Sequence, residues 1–182
     1  MIDILKKMCE EQKNICIYSN IDSMQNFIYG KILAVNDEEV AVQMITQDGE
    51  DDGVSIFSVD DIFRIAVDGE YSRKMDFLLS SSIASYIIAV KNNDIMGSYL
   101  SYAKEKGLIL SIELLDSGYT DITGYIESVD NDLCAIKEVD EYGCYDGISY
   151  IALSDITQIT FLSEDEKRIT RLFEKRKADG NC

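Results

Sequence analysis

Carboxylates are the side chains in this sequence most able to do acid–base chemistry, because the chain contains no histidine. Without histidine there is no Ser-His-Asp or Cys-His arrangement, and the usual general base near neutral pH is missing. Acid–base catalysis would fall to carboxylate pairs such as Asp51-Asp52 and Asp60-Asp61. These pairs lie at predicted turns, where aspartate is favoured for backbone reasons. We therefore predict no catalytic residue and a protein that is not an enzyme.

Metal and cofactor sites are not predicted either. Residues 48–53 resemble a calcium loop, with acids at alternate positions and a glycine at the sixth. The twelfth position is Val59 rather than glutamate, and strand-like segments flank the loop. The five cysteines form no C-x-x-C pair, and Cys134 is interpreted as a small core residue. No glycine-rich phosphate loop is present, so we expect no cofactor.

The net charge of −17 limits the partners that the chain can bind. A uniformly acidic protein repels phosphate backbones, whereas proteins that bind nucleic acid carry a basic face. The acids either keep the protein soluble or form a surface for a basic protein partner. The longest apolar run, residues 85–90, is far shorter than the ~18 residues that cross a bilayer. The N-terminus has no signal core, so we expect a cytoplasmic protein without a membrane partner.

An internal repeat organises the chain. The sequence Asp-Gly-Val-Ser at residues 52–55 returns as Asp-Gly-Ile-Ser at residues 146–149. Laying residues 1–79 over 95–173 gives 18 identities, where chance would give about five. We interpret the chain as a tandem duplication. The predicted domains are unit 1 (residues 1–80), a linker with a possible helix (residues 81–93) and unit 2 (residues 94–182).

Each unit is predicted to contain a leading helix, five short strands and a closing helix. Gly30 and Gly124 fall in the middle of the second strand, where glycine often marks the bend that a small barrel needs in order to close. Ser163 and Glu166 form a capping box at the start of the last helix. The predicted fold class is α+β, mainly β, with two tandem five-stranded barrels that each have a leading and a closing helix.

Two segments in each unit carry a resemblance to the Sm-like family. Residues 30–36 and 124–130 resemble its first signature, in which a glycine leads through apolar alternation to an aspartate. Residues 54–65 and 148–159 resemble the end of its second signature, two strands joined by a tight turn. The resemblance covers about 55 residues of each unit. It implies Sm-like, or SH3-like, small barrels and a link to RNA.

The positions that would contact RNA differ from the family pattern. The resemblance implies a base-contacting asparagine where Cys134 and Val40 stand, and an arginine-glycine pair where Ile151-Ala152 and Phe57-Ser58 stand. With the acidic charge, this disfavours RNA as a partner. A ring would need two to four chains, so a homo-oligomer stays open.

The two predicted hairpins between the third and fourth strands differ most between the repeats. The candidate partner-binding residues are Asp48, Glu50 and Asp51 in unit 1, and Tyr142 and Tyr145 in unit 2. Tyrosines on a polar loop either pack back on the barrel or anchor a protein interface. We therefore predict a cytoplasmic adaptor that binds another protein. The alternatives are an Sm-like RNA-binding regulator and an acidic inhibitor or immunity protein of a basic toxin.

Overall fold

The computed structural model of the chain describes residues 1–19, 27–79, 83–130 and 132–180. The chain divides into two compact units, Met1–Ile95 and Met96–Cys182. The elements of the first unit are α1 (Ile2–Glu10), β1 (Asn14–Tyr18), β2 (Ile28–Val35), β3 (Glu39–Ile45), β4 (Asp51–Ser58), a 3-10 turn (Val59–Asp61), β5 (Arg64–Ala66) and α2 (Glu70–Leu78).

The second unit has the same order of elements. They are α3 (Ile95–Lys106), β6 (Ile109–Leu114), β7 (Ile122–Val129), β8 (Leu133–Val139), β9 (Tyr145–Ala152), a 3-10 turn (Leu153–Asp155), β10 (Ile156–Phe161) and α4 (Glu164–Asp179). Cross-strand registers also correspond at an offset of 94 residues: Val35 pairs with Val40, and Val129 pairs with Cys134.

The two closed five-stranded barrels expected from the sequence are wrong. Within each unit the five strands follow one another in an open antiparallel order rather than in a closed barrel. The order is β5-β1-β2-β3-β4 in the first unit and β10-β6-β7-β8-β9 in the second. Closure would require the fifth strand of a unit to pair with both its first and its fourth strand. In the described residues it pairs with the first strand and not with the fourth.

Gly30 and Gly124 permit a close approach between strands rather than closing a barrel. A Cβ atom at Gly30 would lie 1.9 Å from the carbonyl oxygen of Gln43. At Gly124 it would lie 2.2 Å from the carbonyl oxygen of Lys137. No other residue fits where a neighbouring backbone passes this near.

The core of the first unit lies between α1 and one face of its strands. Leu5 and Met8 are buried, as their helical spacing predicts. They pack in one cluster with apolar side chains of the strands and the 3-10 turn: Ile15, Ile17, Ile32, Val40, Val42, Phe57, Val59 and Ile62. The opposite face of the sheet packs against α2 through Met75 and Tyr29.

In the second unit, α4 packs against β6 and β7. Ser111 Oγ donates a hydrogen bond of 2.6 Å to the buried carboxylate of Glu166. The rings of Tyr125 and Phe173 lie 5.4 Å apart. The predicted capping box is confirmed, since the N–H of Ser163 donates to Glu166 at 2.9 Å and the Ser163 hydroxyl accepts at the helix start. Cys134 is fully buried, as predicted.

The helix expected within the linker is not formed at residues 83–90, which are neither helix nor strand. Residues 81 and 82 of that linker lie outside the described residues. Asparagine at position 93 predicts an N-cap for the second leading helix, but α3 begins at Ile95. Asn93 has a positive φ of 60°, whereas an N-cap residue needs an extended backbone.

Candidate interaction surface

The hairpin of the first unit holds three of the five candidate residues. Asp48 and Glu50 are exposed, and their N–H groups donate to the hydroxyl of Thr46 at 3.3 and 3.2 Å. Asp51 is half-buried and bonded within its own unit. Its carboxylate accepts hydrogen bonds from Gln43 Nε2 at 2.9 Å and from the hydroxyl of Tyr86 at 2.6 Å. Asp51 therefore holds residues that follow α2, whereas Asp48 and Glu50 face solvent.

The hairpin of the second unit has a matching backbone. The Asp140 carboxylate takes the place of the Thr46 hydroxyl and accepts from the N–H groups of Tyr142 and Cys144, at 3.0 and 2.7 Å. A Cβ atom at Gly143 would lie 2.6 Å from the Cβ atom of Leu172 in α4. The tip of this hairpin is therefore pressed against α4.

Both candidate tyrosines of the second hairpin are exposed. Tyr142 is 62% exposed and Tyr145 is 49% exposed. A hydrogen bond from Tyr142 to the Glu141 carboxylate, and the negative charge of that carboxylate, raise the pKa of the Tyr142 hydroxyl. Lys137 Nζ lies 6.0 Å from the centre of the Tyr145 ring, at the limit of a cation–π contact. Neither ring is packed into the core.

Three further apolar side chains are exposed on the two strands that this hairpin joins, and the sequence pattern did not predict them. Leu133 is 48% exposed, Ile148 is 41% exposed and Tyr150 is 72% exposed. The repeated Asp-Gly-Ile-Ser motif predicts Ile148 in the core, like Val54 at the matching position, and for Ile148 this prediction is wrong. Cross-strand partners point to the same face of a sheet, and the pairs Leu133–Ala152 and Ala135–Tyr150 therefore place these side chains on one face. We call Leu133, Tyr142, Tyr145, Ile148 and Tyr150 the β8–β9 surface.

The matching face of the first unit is covered. Val54 and Ile56 correspond to Ile148 and Tyr150 at the repeat offset, and both are fully buried. Gln43 is the cross-strand partner of Val54, and Glu39 lies on the same face. Both polar side chains bind residues 83–95, which we call the covering segment.

The covering segment is held to this face by side-chain hydrogen bonds. Gln43 Nε2 donates to the carbonyl oxygen of Ala84 at 2.5 Å. The N–H of Ile95 donates to the carboxylate of Glu39 at 2.8 Å. A cavity of about 280 Å³ remains between the segment and the sheet, lined in part by Asn14, whose buried Oδ1 has no hydrogen-bond partner within the described residues. Ordered water would satisfy that oxygen.

The β9 strand also has an unpaired backbone edge. The N–H of Leu153 donates to the carbonyl oxygen of Asp132 at 3.0 Å. Because backbone groups alternate along a strand, those of Ile148, Tyr150 and Ala152 point away from β8. β9 is an outer strand, so these groups pair with no other strand in the described parts of the chain.

Acidic side chains surround the β8–β9 surface. Lys137 is the only basic residue in positions 107–166, which contain fourteen acids. Its ammonium group lies 4.0 Å from the Glu127 carboxylate. The acids stand at both ends of the exposed strands: Asp130 and Asp132 at one turn, and Asp140, Glu141 and Asp146 at the hairpin.

The described residues contain no group of three Cys, Asp or Glu side chains placed to hold a metal ion. Among their helices, none has both the length and the apolar character that crossing a membrane demands. No family model, curated protein or solved structure matches the chain.

Proposed function

We propose that this chain is a non-enzymatic adaptor that binds another protein through the β8–β9 surface. One observation carries the proposal: five large apolar or aromatic side chains are exposed together on one hairpin and its two strands. Exposed apolar side chains grouped on one hairpin and its strands commonly mark an interaction site, because a partner that covers them removes apolar area from water.

The residue types support a protein partner. Tyrosine is enriched where interfaces concentrate their binding energy, since its large ring is buried at a low entropic cost and its hydroxyl still bonds. The fourteen acids against one base in positions 107–166 favour a basic partner. The same acids disfavour RNA, whose phosphates would be repelled. The proposal includes a cytoplasmic location, which microscopy of a tagged chain checks.

The test is capture of partners from the native cell, followed by mass spectrometry. The bait is the tagged full-length chain, compared with the double variant Tyr142→Ala/Tyr145→Ala. Tyr119→Ala is the matched control, because Tyr119 is 67% exposed in the same unit but lies outside the β8–β9 surface. We expect a specific basic protein with the wild type and the control, and its loss with the double variant.

Two results would overturn the proposal. One is the same set of captured proteins with all three baits. The other is capture of RNA that resists washing and is released by ribonuclease. If the captured partner is a basic toxin, rescue of cells that express it would narrow the function to an inhibitor.

A further inference from the structure

The covering segment of the first unit has no counterpart in the described residues of the second unit. The covering segment lies on the face that carries Val54 and Ile56, and its contacts come from Gln43, Glu39 and Asp51. Residues 83–90 of the segment are neither helix nor strand. An irregular stretch of chain therefore covers this face in the first unit.

On the corresponding face of the second unit α4 packs over β7, but the side chains of β9 stay exposed in the described residues. Ile148 and Tyr150 are exposed where Val54 and Ile56 are buried. The polar contacts have also changed in type, because Leu133, Lys137 and Tyr145 stand where Glu39, Gln43 and Asp51 bind the covering segment. An occupant of this face would meet apolar and aromatic side chains and one lysine rather than carboxylates.

The edge of β9 defines how an occupant can bind. Ile148, Tyr150 and Ala152 turn their backbone N–H and C=O groups outward. An added strand can pair with these groups, and its alternate side chains then fall beside Ile148 and Tyr150. Strand addition of this kind is a recurrent mode of peptide recognition, in which the backbone gives affinity and alternate side chains give specificity.

The acidic side chains near β9 indicate which residues the two ends of a bound segment would carry. Acids lie beyond both ends of the exposed strand, at the turn with Asp130 and Asp132 and at the hairpin with Glu141 and Asp146. A bound segment would therefore be favoured by basic residues at both of its ends. The chain's own residues 83–90 contain no charged side chain, and two copies that each carry −17 repel one another.

We propose that an extended segment of a partner protein adds as a strand to the free edge of β9, with apolar side chains on Ile148 and Tyr150 and basic residues at its ends. This inference rests on the proposed function and specifies its partner. It gives a peptide class rather than a protein name.

The probe is a library of random nine-residue peptides displayed on phage and selected on the full-length chain. We expect enriched peptides with alternating apolar residues and with Lys or Arg near both ends. Tyr150→Ala should weaken their binding roughly tenfold or more, as truncation of an interface anchor does. The control Tyr119→Ala should leave it unchanged. Acidic or non-alternating peptides, or equal binding to both variants, would overturn the inference.

A second measurement separates strand addition from simple burial of side chains. Selected peptides are resynthesised with N-methyl groups at either odd or even positions. One set removes the N–H groups that face β9 and should lose binding roughly tenfold or more, whereas the other set should bind within about twofold of the parent. Equal effects of the two sets would contradict strand addition.

The outcomes also separate this inference from the adaptor function. If capture of the partner is lost in Tyr142→Ala/Tyr145→Ala but retained in Tyr150→Ala, strand addition at β9 is contradicted and the adaptor function is supported. Self-association of the wild type that Tyr150→Ala abolishes, measured by sedimentation, would assign the surface to a second copy and overturn the inference. Peptide selection that succeeds while no native partner is captured would support strand addition and leave the function without support.

Discussion

The two units place matching residues in opposite environments. Val54 and Ile56 on β4 are fully buried, whereas Ile148 and Tyr150 at the same positions of β9 are exposed. The strands around them have the same registers at the repeat offset. The difference lies in the covering segment, which lies on the face of β4 in the first unit and has no counterpart over β9 in the described residues of the second. A shared backbone can thus serve as a closed core in one unit and as an open surface in the other.

The closing helices explain where the covering segment comes from. α2 has 9 residues and ends at Leu78, after which the chain returns along the sheet as the covering segment. α4 has 16 residues and continues to Asp179. At the repeat offset, the last helical residues of α4 (177–179) stand where the covering segment begins in the first unit (83–85).

The strongest test of the shared backbone uses two separate single variants, Gly30→Ala and Gly124→Ala. Each added Cβ atom would clash with a carbonyl oxygen of the next strand, at 1.9 and 2.2 Å. We expect each variant to lose about 4 kcal/mol or more in free energy of unfolding, measured by urea denaturation. Gly69→Ala is the control, since no atom lies within 4 Å of its Cβ position. A large loss of unfolding free energy from only one of the two variants would contradict a backbone contact shared by both units.

Matched truncations test the opposite environments directly. Ile56→Ala should lower the free energy of unfolding by about 2–4 kcal/mol, because it leaves a cavity in a buried position. Tyr150→Ala should change it by less than ~0.5 kcal/mol, because the side chain is mostly exposed. Both are measured by chemical denaturation. Similar losses from the two truncations would mean that Tyr150 is buried in solution.

Local signals in the sequence predicted most elements but not their closure. Ser163 with Glu166 predicts the start of α4, and a glycine at position 107 predicts a helix stop, where α3 does end at Lys106. Such caps depend on a few neighbouring residues. Whether the fifth strand closes a barrel depends on which distant edges pair. No local pattern near Arg64–Ala66 specifies that pairing, so the predicted barrels were wrong.

The sequence predicted only part of the candidate surface, because burial also depends on parts of the chain that are distant in sequence. Tyr142 and Tyr145 stood out because they interrupt a polar hairpin, and both are exposed. Ile148 has the same local pattern as Val54, so the sequence placed both in the core. Only the absence of a covering segment in the described part of the second unit distinguishes them. The one signal in the sequence was that a tyrosine, Tyr150, stands where the first unit has Ile56.

Alkaline pH should destabilise the chain through Cys134, which stands where the first unit has Val40. Burial raises the pKa of this thiol to about 11 from an ordinary value of 9.0. The folded state favours the neutral thiol, so its contribution is complete below pH 9 and is lost as pH rises to about 11. Two pKa units correspond to at most about 3 kcal/mol.

The variant Cys134→Val makes this position match the first unit and should flatten the fall in the free energy of unfolding between pH 9 and pH 11. Cys144→Val is the control for loss of a less buried thiol. Tyr29, whose pKa is raised by burial to about 12, should still lose its contribution at higher pH in both variants. Identical pH profiles of the wild type and Cys134→Val would contradict the assignment.

The smallest expected effect concerns the starts of the closing helices. Ser163 caps α4 with its side chain, whereas Gly69 at the matching position of α2 makes no side-chain cap. Ser163→Ala should therefore cost about 1 kcal/mol of unfolding free energy. Gly69→Ser should gain a few tenths of a kcal/mol, since φ at Gly69 is −76° and its Cβ position is open. Thermal unfolding measures both. A gain from Gly69→Ser with no loss from Ser163→Ala would show that packing against β6 and β7, rather than the cap, determines where α4 begins.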